Sequence, residues 1–110
     1  MDSMILRAKM LFKWRSWIDK VVQAVKKLLP DAEVYIIGSI ARGEAIASSD
    51  LDLLIVSMKI PKKALERGKL IATIEEEAKL PLYHPVEFHF ITPEEKNKYL
   101  KRSIKYIKLA

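Results

Sequence analysis

The 110-residue chain is half hydrophobic and 31% charged, with three Gly and five Pro, the balance of a single compact domain over 1–110. It has no cysteine, which excludes a disulfide scaffold, a thiolate zinc site and a cysteine nucleophile. The formal charge of +6 is unevenly spread: residues 1–27 hold seven Lys/Arg against two acids, 28–92 seven against ten, and 93–110 six against two. Basic ends around an acidic middle fit phosphate-bearing ligands drawn toward carboxylates, and equally two solvated helix faces. Short apolar stretches with charges nearby predict a soluble, cytoplasmic chain that spans no membrane.

In chain order, Met10, Leu11, Trp14, Trp17, Ile18, Val21, Val25 and Leu28 recur at steps of three and four, which predicts one amphipathic helix from about Ile5 to Leu29, stopped by Pro30. Phe12 falls off that stripe, and Trp14 and Trp17 read as packing anchors. Val34–Ile37 and Leu51–Ser57 are apolar, β-branched runs that read as buried neighbouring strands. Between them Ala41–Ser49 has room for a helical turn and a loop. Pro61 marks the start of a second helix that Pro81 ends. Pro85–Ile91 alternates Val86, Phe88 and Phe90 with Glu87 and His89, a third strand with one apolar face. Thr92-Pro93-Glu94-Glu95 is a capped start for a final helix running to the end of the sequence. The fold class is therefore α/β (α+β), a small mixed sheet flanked by helices.

Chemistry-bearing residues converge on Gly38-Ser39 and Ser49-Asp50-Leu51-Asp52. Asp50 and Asp52 leave the same face of a strand while Leu51 and Leu53 take the other, so the two carboxylates can share a hard cation such as Mg²⁺. Gly38-Ser39 ends the preceding strand at a turn where backbone N–H groups and a hydroxyl can meet phosphate oxygens. Taken singly, each feature is common in turns and strand ends.

Ten residues separate Ser39 from Asp50, then one separates Asp50 from Asp52. This GS-x10-DxD pattern, with Ala41-Arg42-Gly43-Glu44-Ala45 and Ser49-Asp50-Leu51-Asp52-Leu53, resembles the minimal nucleotidyltransferases of the DNA polymerase beta superfamily. The resemblance implies the nucleotidyltransferase fold and transfer of a nucleoside monophosphate, AMP from ATP, to a hydroxyl. Gly38, Ser39, Arg42 and Ser49 would hold the nucleotide. Asp50, Asp52 and a later carboxylate would be catalytic and bind two Mg²⁺ ions. Glu87 is the candidate for that third ligand, although the family more often has Asp there. The resemblance further implies a HEPN-domain protein as partner, with this chain as an antitoxin that adenylylates a tyrosine on it; self-association into a homo-oligomer stays open.

His84, Glu87 and His89 within six residues raise a transition-metal site, but His84 precedes Pro85 in a loop and the three would have to bend together. His89 shares its face with Glu87 and falls near the nucleotide. Arg42 reads either as a phosphate contact or as a surface partner of Glu44. Two other functions compete: an interaction module that neutralises a partner without catalysis, and, ranked last, a nucleic-acid binder using the basic end helices.

Overall fold

The computed structural model describes residues 2–110. Its sheet has four strands in the order β3-β2-β1-β4: β1 (Glu33–Ile37), β2 (Leu51–Val56), β3 (Val86–Ile91) and β4 (Ile107–Lys108). β1 runs antiparallel to β2 and β4, and β2 runs parallel to β3. The helices are α1 (Ser3–Phe12), α2 (Ile18–Leu28), α3 (Gly38–Arg42), α4 (Ala64–Glu77) and α5 (Lys96–Arg102). The small mixed sheet flanked by helices is as the sequence predicts.

The strands alternate as their sequences demand. Leu51, Leu53 and Ile55 of β2, with Val34 and Ile36 of β1, are fully buried against α2 and α4. The opposite face carries Tyr35, Leu54, Val56 and Ile91, covered by Tyr99 and Leu100 of α5. The parallel pairing of β2 with β3 needs a long crossover, which α4 supplies. Among the described residues no helix is long and apolar enough to cross a membrane.

Three expectations need correction. The first helix is two: α1 ends at Phe12, a 3₁₀ turn spans Trp14–Ser16, and α2 begins at Ile18. The Trp17 indole N–H donates to the Met10 carbonyl at 2.9 Å, satisfying an acceptor at the end of α1. Steps of three and four suit a 3₁₀ link as well as a continuous helix, so periodicity alone could not see the break. Trp14 is buried there, as expected of an anchor, and Phe12 stands exposed.

The second helix starts at Ala64, not at Pro61. The carbonyls of Pro61 and Lys62 accept from Arg67 Nη1 at 3.1 and 2.6 Å, so a side chain supports the bend before the helix. The last helix does not run to the end. The Thr92–Glu95 capping box forms, but α5 stops at Arg102, Ile104 turns at φ +63°, and β4 closes the free edge of β1. Ile104 is left exposed, whereas Ile107 and Leu109 pack on the core.

Candidate active site

The end of β1 and the starts of β2 and β3 meet at one edge of the sheet. Register places Ile37 opposite Asp52 and Asp52 opposite Glu87, so Gly38 follows β1 directly beside the Asp52 carboxylate. Gly38 adopts φ +75°, and a Cβ at this position would lie 2.2 Å from Asp52 Oδ2. Glycine is required here twice, by the left-handed backbone and by the close approach of the carboxylate.

Asp52 is half-buried, and its Oδ1 lies 3.0 Å from His89 Nε2. His89 sits two residues beyond Glu87 on the same face of β3, diagonal to Asp52 across the parallel register. The Asp52 carboxylate raises the His89 pKa above its ordinary value by hydrogen bonding. The Glu87 carboxyl is also raised, first by partial desolvation, with the charges of Asp52 and Asp50 adding in the same direction. One ligand atom from each of Asp52, Glu87 and His89 lies within 4.8 Å of the others. Two donors across one dication stand roughly 4–5 Å apart, so these three fit a shared divalent ion.

Asp50 is exposed, and its Oδ1 accepts from Arg7 Nη2 on α1, while Arg7 Nη1 donates to the Ser49 carbonyl at 2.9 Å. The planar guanidinium fork suits this paired grip. Nothing in the sequence signals the contact, which closes across 43 positions. The Ser49 hydroxyl accepts the Ile46 N–H at 2.9 Å and shapes the loop ahead of Asp50. Arg42 Nε pairs with Glu44 at 3.2 Å. Ser39 lies one residue into α3, beside Gly38.

His84 is elsewhere. Its Nδ1 accepts the Val86 N–H at 3.1 Å, which leaves the proton on Nε2 to bond Glu75 of α4 at 2.6 Å. Both nitrogens are engaged in tying the loop before β3 to the crossover helix, so the structure does not bring His84 to Glu87 and His89.

Residues 18–110 match the nucleotidyltransferase domain family. The chain belongs to this family. Arg7 and α1 lie outside the matched span, so the grip on Asp50 comes from beyond it. Over 59 residues the chain is 37% identical to a Methanocaldococcus jannaschii protein named as a candidate protein adenylyltransferase; the match covers 52% of this chain and 40% of that protein. A candidate nucleotidyltransferase from Sulfolobus solfataricus superposes with a TM-score of 0.62 at 24% identity, over 98% of this chain and 86% of that one. Another candidate nucleotidyltransferase gives 0.59 at 27% identity, over 84% and 97% of the two chains. A toxin–antitoxin crystallised with AMP-PNP gives 0.57 at 15% identity, over 84% and 71%, a likeness of fold.

Proposed function

We propose that this nucleotidyltransferase-family chain transfers AMP from ATP to a hydroxyl, with a tyrosine of a HEPN-domain partner as acceptor, and so acts as an antitoxin. The observation that carries the catalytic reading is the register that sets Asp52 beside Glu87, with Gly38 leaving the Asp52 carboxylate uncovered. The name of the Methanocaldococcus jannaschii relative supports protein as the acceptor class.

Asp50, Asp52 and Glu87 are the proposed catalytic and metal-holding residues, for divalent cations of which Mg²⁺ is the family expectation. Bound there, such cations would offset triphosphate charge and favour ionisation of the acceptor hydroxyl. Gly38 and the Ser39 hydroxyl would hold the triphosphate. Arg42 would leave Glu44 for the phosphates, and Ser49 would fix the loop that presents Asp50. In the transfer the acceptor oxygen bonds to the α-phosphorus, the bond from the α-phosphorus to the β-phosphate oxygen breaks toward pyrophosphate, and the hydroxyl proton passes to solvent. The chain's part is positioning and exclusion of competing geometries.

A second reading, neutralisation of a partner by binding alone, draws on Arg7, whose grip on Asp50 competes with a cation for that carboxylate. Calorimetric titration with ATP, GTP, CTP and UTP in Mg²⁺ separates the two. Magnesium-dependent binding of ATP by the wild type, abolished in Asp50→Ala/Asp52→Ala, is the expected result. No binding by the folded wild type would overturn the catalytic reading and favour the binding module.

A further inference from the structure

We infer that His89 is itself a ligand of the divalent ion held by Asp52 and Glu87, and that its nitrogen makes this site select first-row transition dications such as Mn²⁺ and Co²⁺ over Mg²⁺. The inference deepens the proposed function and rests on it, since it concerns the metal of the same site.

The geometry starts from the pairing of β2 with β3. Parallel register puts Glu87 directly opposite Asp52, and the two-residue repeat of a strand returns His89 to the same face one step further in. From there its Nε2 reaches Asp52 Oδ1 at 3.0 Å, and the three donor atoms fall within 4.8 Å of one another. Asp50, gripped by Arg7 of α1, is not one of these three, although its carboxylate borders Glu87. The donor set already assembled is therefore two oxygens and one nitrogen.

His84 shows what an occupied imidazole looks like in this fold, with a backbone donor on one nitrogen and Glu75 on the other. The Nε2 of His89 instead faces a carboxylate that is itself a candidate ligand, so one ion can be held by both. Ligation requires an Nε2 lone pair, so any proton on that nitrogen passes to solvent. The site stays open to a cation: the side chains of His89 and Asp52 are 33% and 23% exposed, and Gly38 places no side chain over Asp52. Mg²⁺ prefers oxygen donors and retains its waters, whereas imidazole nitrogen favours the transition dications, with affinity rising from Mn²⁺ to Co²⁺.

The test needs neither nucleotide nor partner. Mn²⁺ is titrated into the whole chain and followed by electron paramagnetic resonance, with Mg²⁺ as competitor, and the bound ion is examined by electron spin-echo envelope modulation for ¹⁴N coupling. The expected result is ¹⁴N modulation in the wild type and Mn²⁺ binding at least tenfold tighter than Mg²⁺. In His89→Gln the modulation should vanish and the preference narrow to a few-fold. Bound Mn²⁺ without ¹⁴N modulation, or a preference unchanged in His89→Gln, would overturn the role of His89. The wild-type spectrum decides this even if the variant folds poorly. If ATP binding in Mg²⁺ still depends on Asp50 and Asp52, the nucleotidyltransferase reading survives that result. Absence of binding by any dication and of ATP binding would remove both.

Discussion

The two faces of β2 share one backbone and differ in what covers them. On one face Leu51, Leu53 and Ile55 are fully buried beneath α2 and α4. On the other, Leu54 and Val56 lie under Tyr99 and Leu100 of α5, but the cover stops before Asp52, where Glu87 and His89 crowd against it in the open. The closed face gains stability from each apolar area removed from water. The half-open face gathers two carboxylates whose like charges repel, with an imidazole bonded to one of them, a donor set that suits a cation. Stability and candidate chemistry are thus separated by the alternation of a single strand, and a substitution on one face should leave the other largely untouched.

The sharpest way to break this comparison is to truncate one residue on each face. Leu53→Ala should cost about 2–5 kcal/mol, the range for removing a buried leucine from a packed core, seen as a lowered urea midpoint, with divalent-ion affinity retained in the folded fraction. Asp52→Asn should do the reverse, shifting the urea midpoint little while abolishing the binding of divalent ions. A large loss of stability in Asp52→Asn would mean that the carboxylate is structural.

What the sequence could reveal follows the same division. The strands β1, β2 and β3 were legible because alternation and apolar runs are local signals, whereas the shared face expected of Asp50 and Asp52 assumes a strand through both, and Asp50 precedes β2 and is gripped by Arg7. Glu87 was legible as the polar side of β3, but its position beside Asp52, with His89 on the diagonal, depends on the parallel register, which no local pattern fixes. Arg7 reaches Asp50 from 43 residues away, and only the break between α1 and α2 sets the direction of that reach. The tail misled because Ile104 and Ile107 have helical spacing while Ile107 and Leu109 have strand spacing. The free edge of β1 decides for the strand.

An intermediate effect is expected at the boundary of the open half. Gly38→Ala must hold an L-residue at φ +75° and also displace the Asp52 carboxylate. The backbone part should cost about 1–2 kcal/mol. Gly43 is the matching control, because it has φ +72° with nothing within 4 Å of where a Cβ would stand. Both variants should lose stability by thermal melting, Gly38→Ala the more because of the added clash, and only Gly38→Ala should weaken divalent-ion binding. Equal ion affinities in the two would show that Asp52 accommodates the methyl group without moving off the site.

The smallest effect belongs to the covered half of the same face, where a polar clip fastens α5. Lys96 Nζ lies 2.7 Å from Glu33 Oε1, which also accepts from the Tyr35 hydroxyl at 2.7 Å. The hydrogen bond from Lys96, followed by that from Tyr35, holds the Glu33 pKa below its ordinary value. A carboxyl depressed in the folded state stabilises it fully above the unfolded glutamate pKa, about 4.3, and loses that contribution as the pH falls through the lower folded value. Because both side chains remain about a third exposed, solvent screening keeps the contribution under roughly 1 kcal/mol. Glu33→Gln should therefore melt slightly below the wild type at pH 7, and the gap should close in acid as Glu33 is protonated. A gap that persists unchanged at low pH would assign the loss to packing, and α5 would then be held on the sheet by Tyr99 and Leu100 alone.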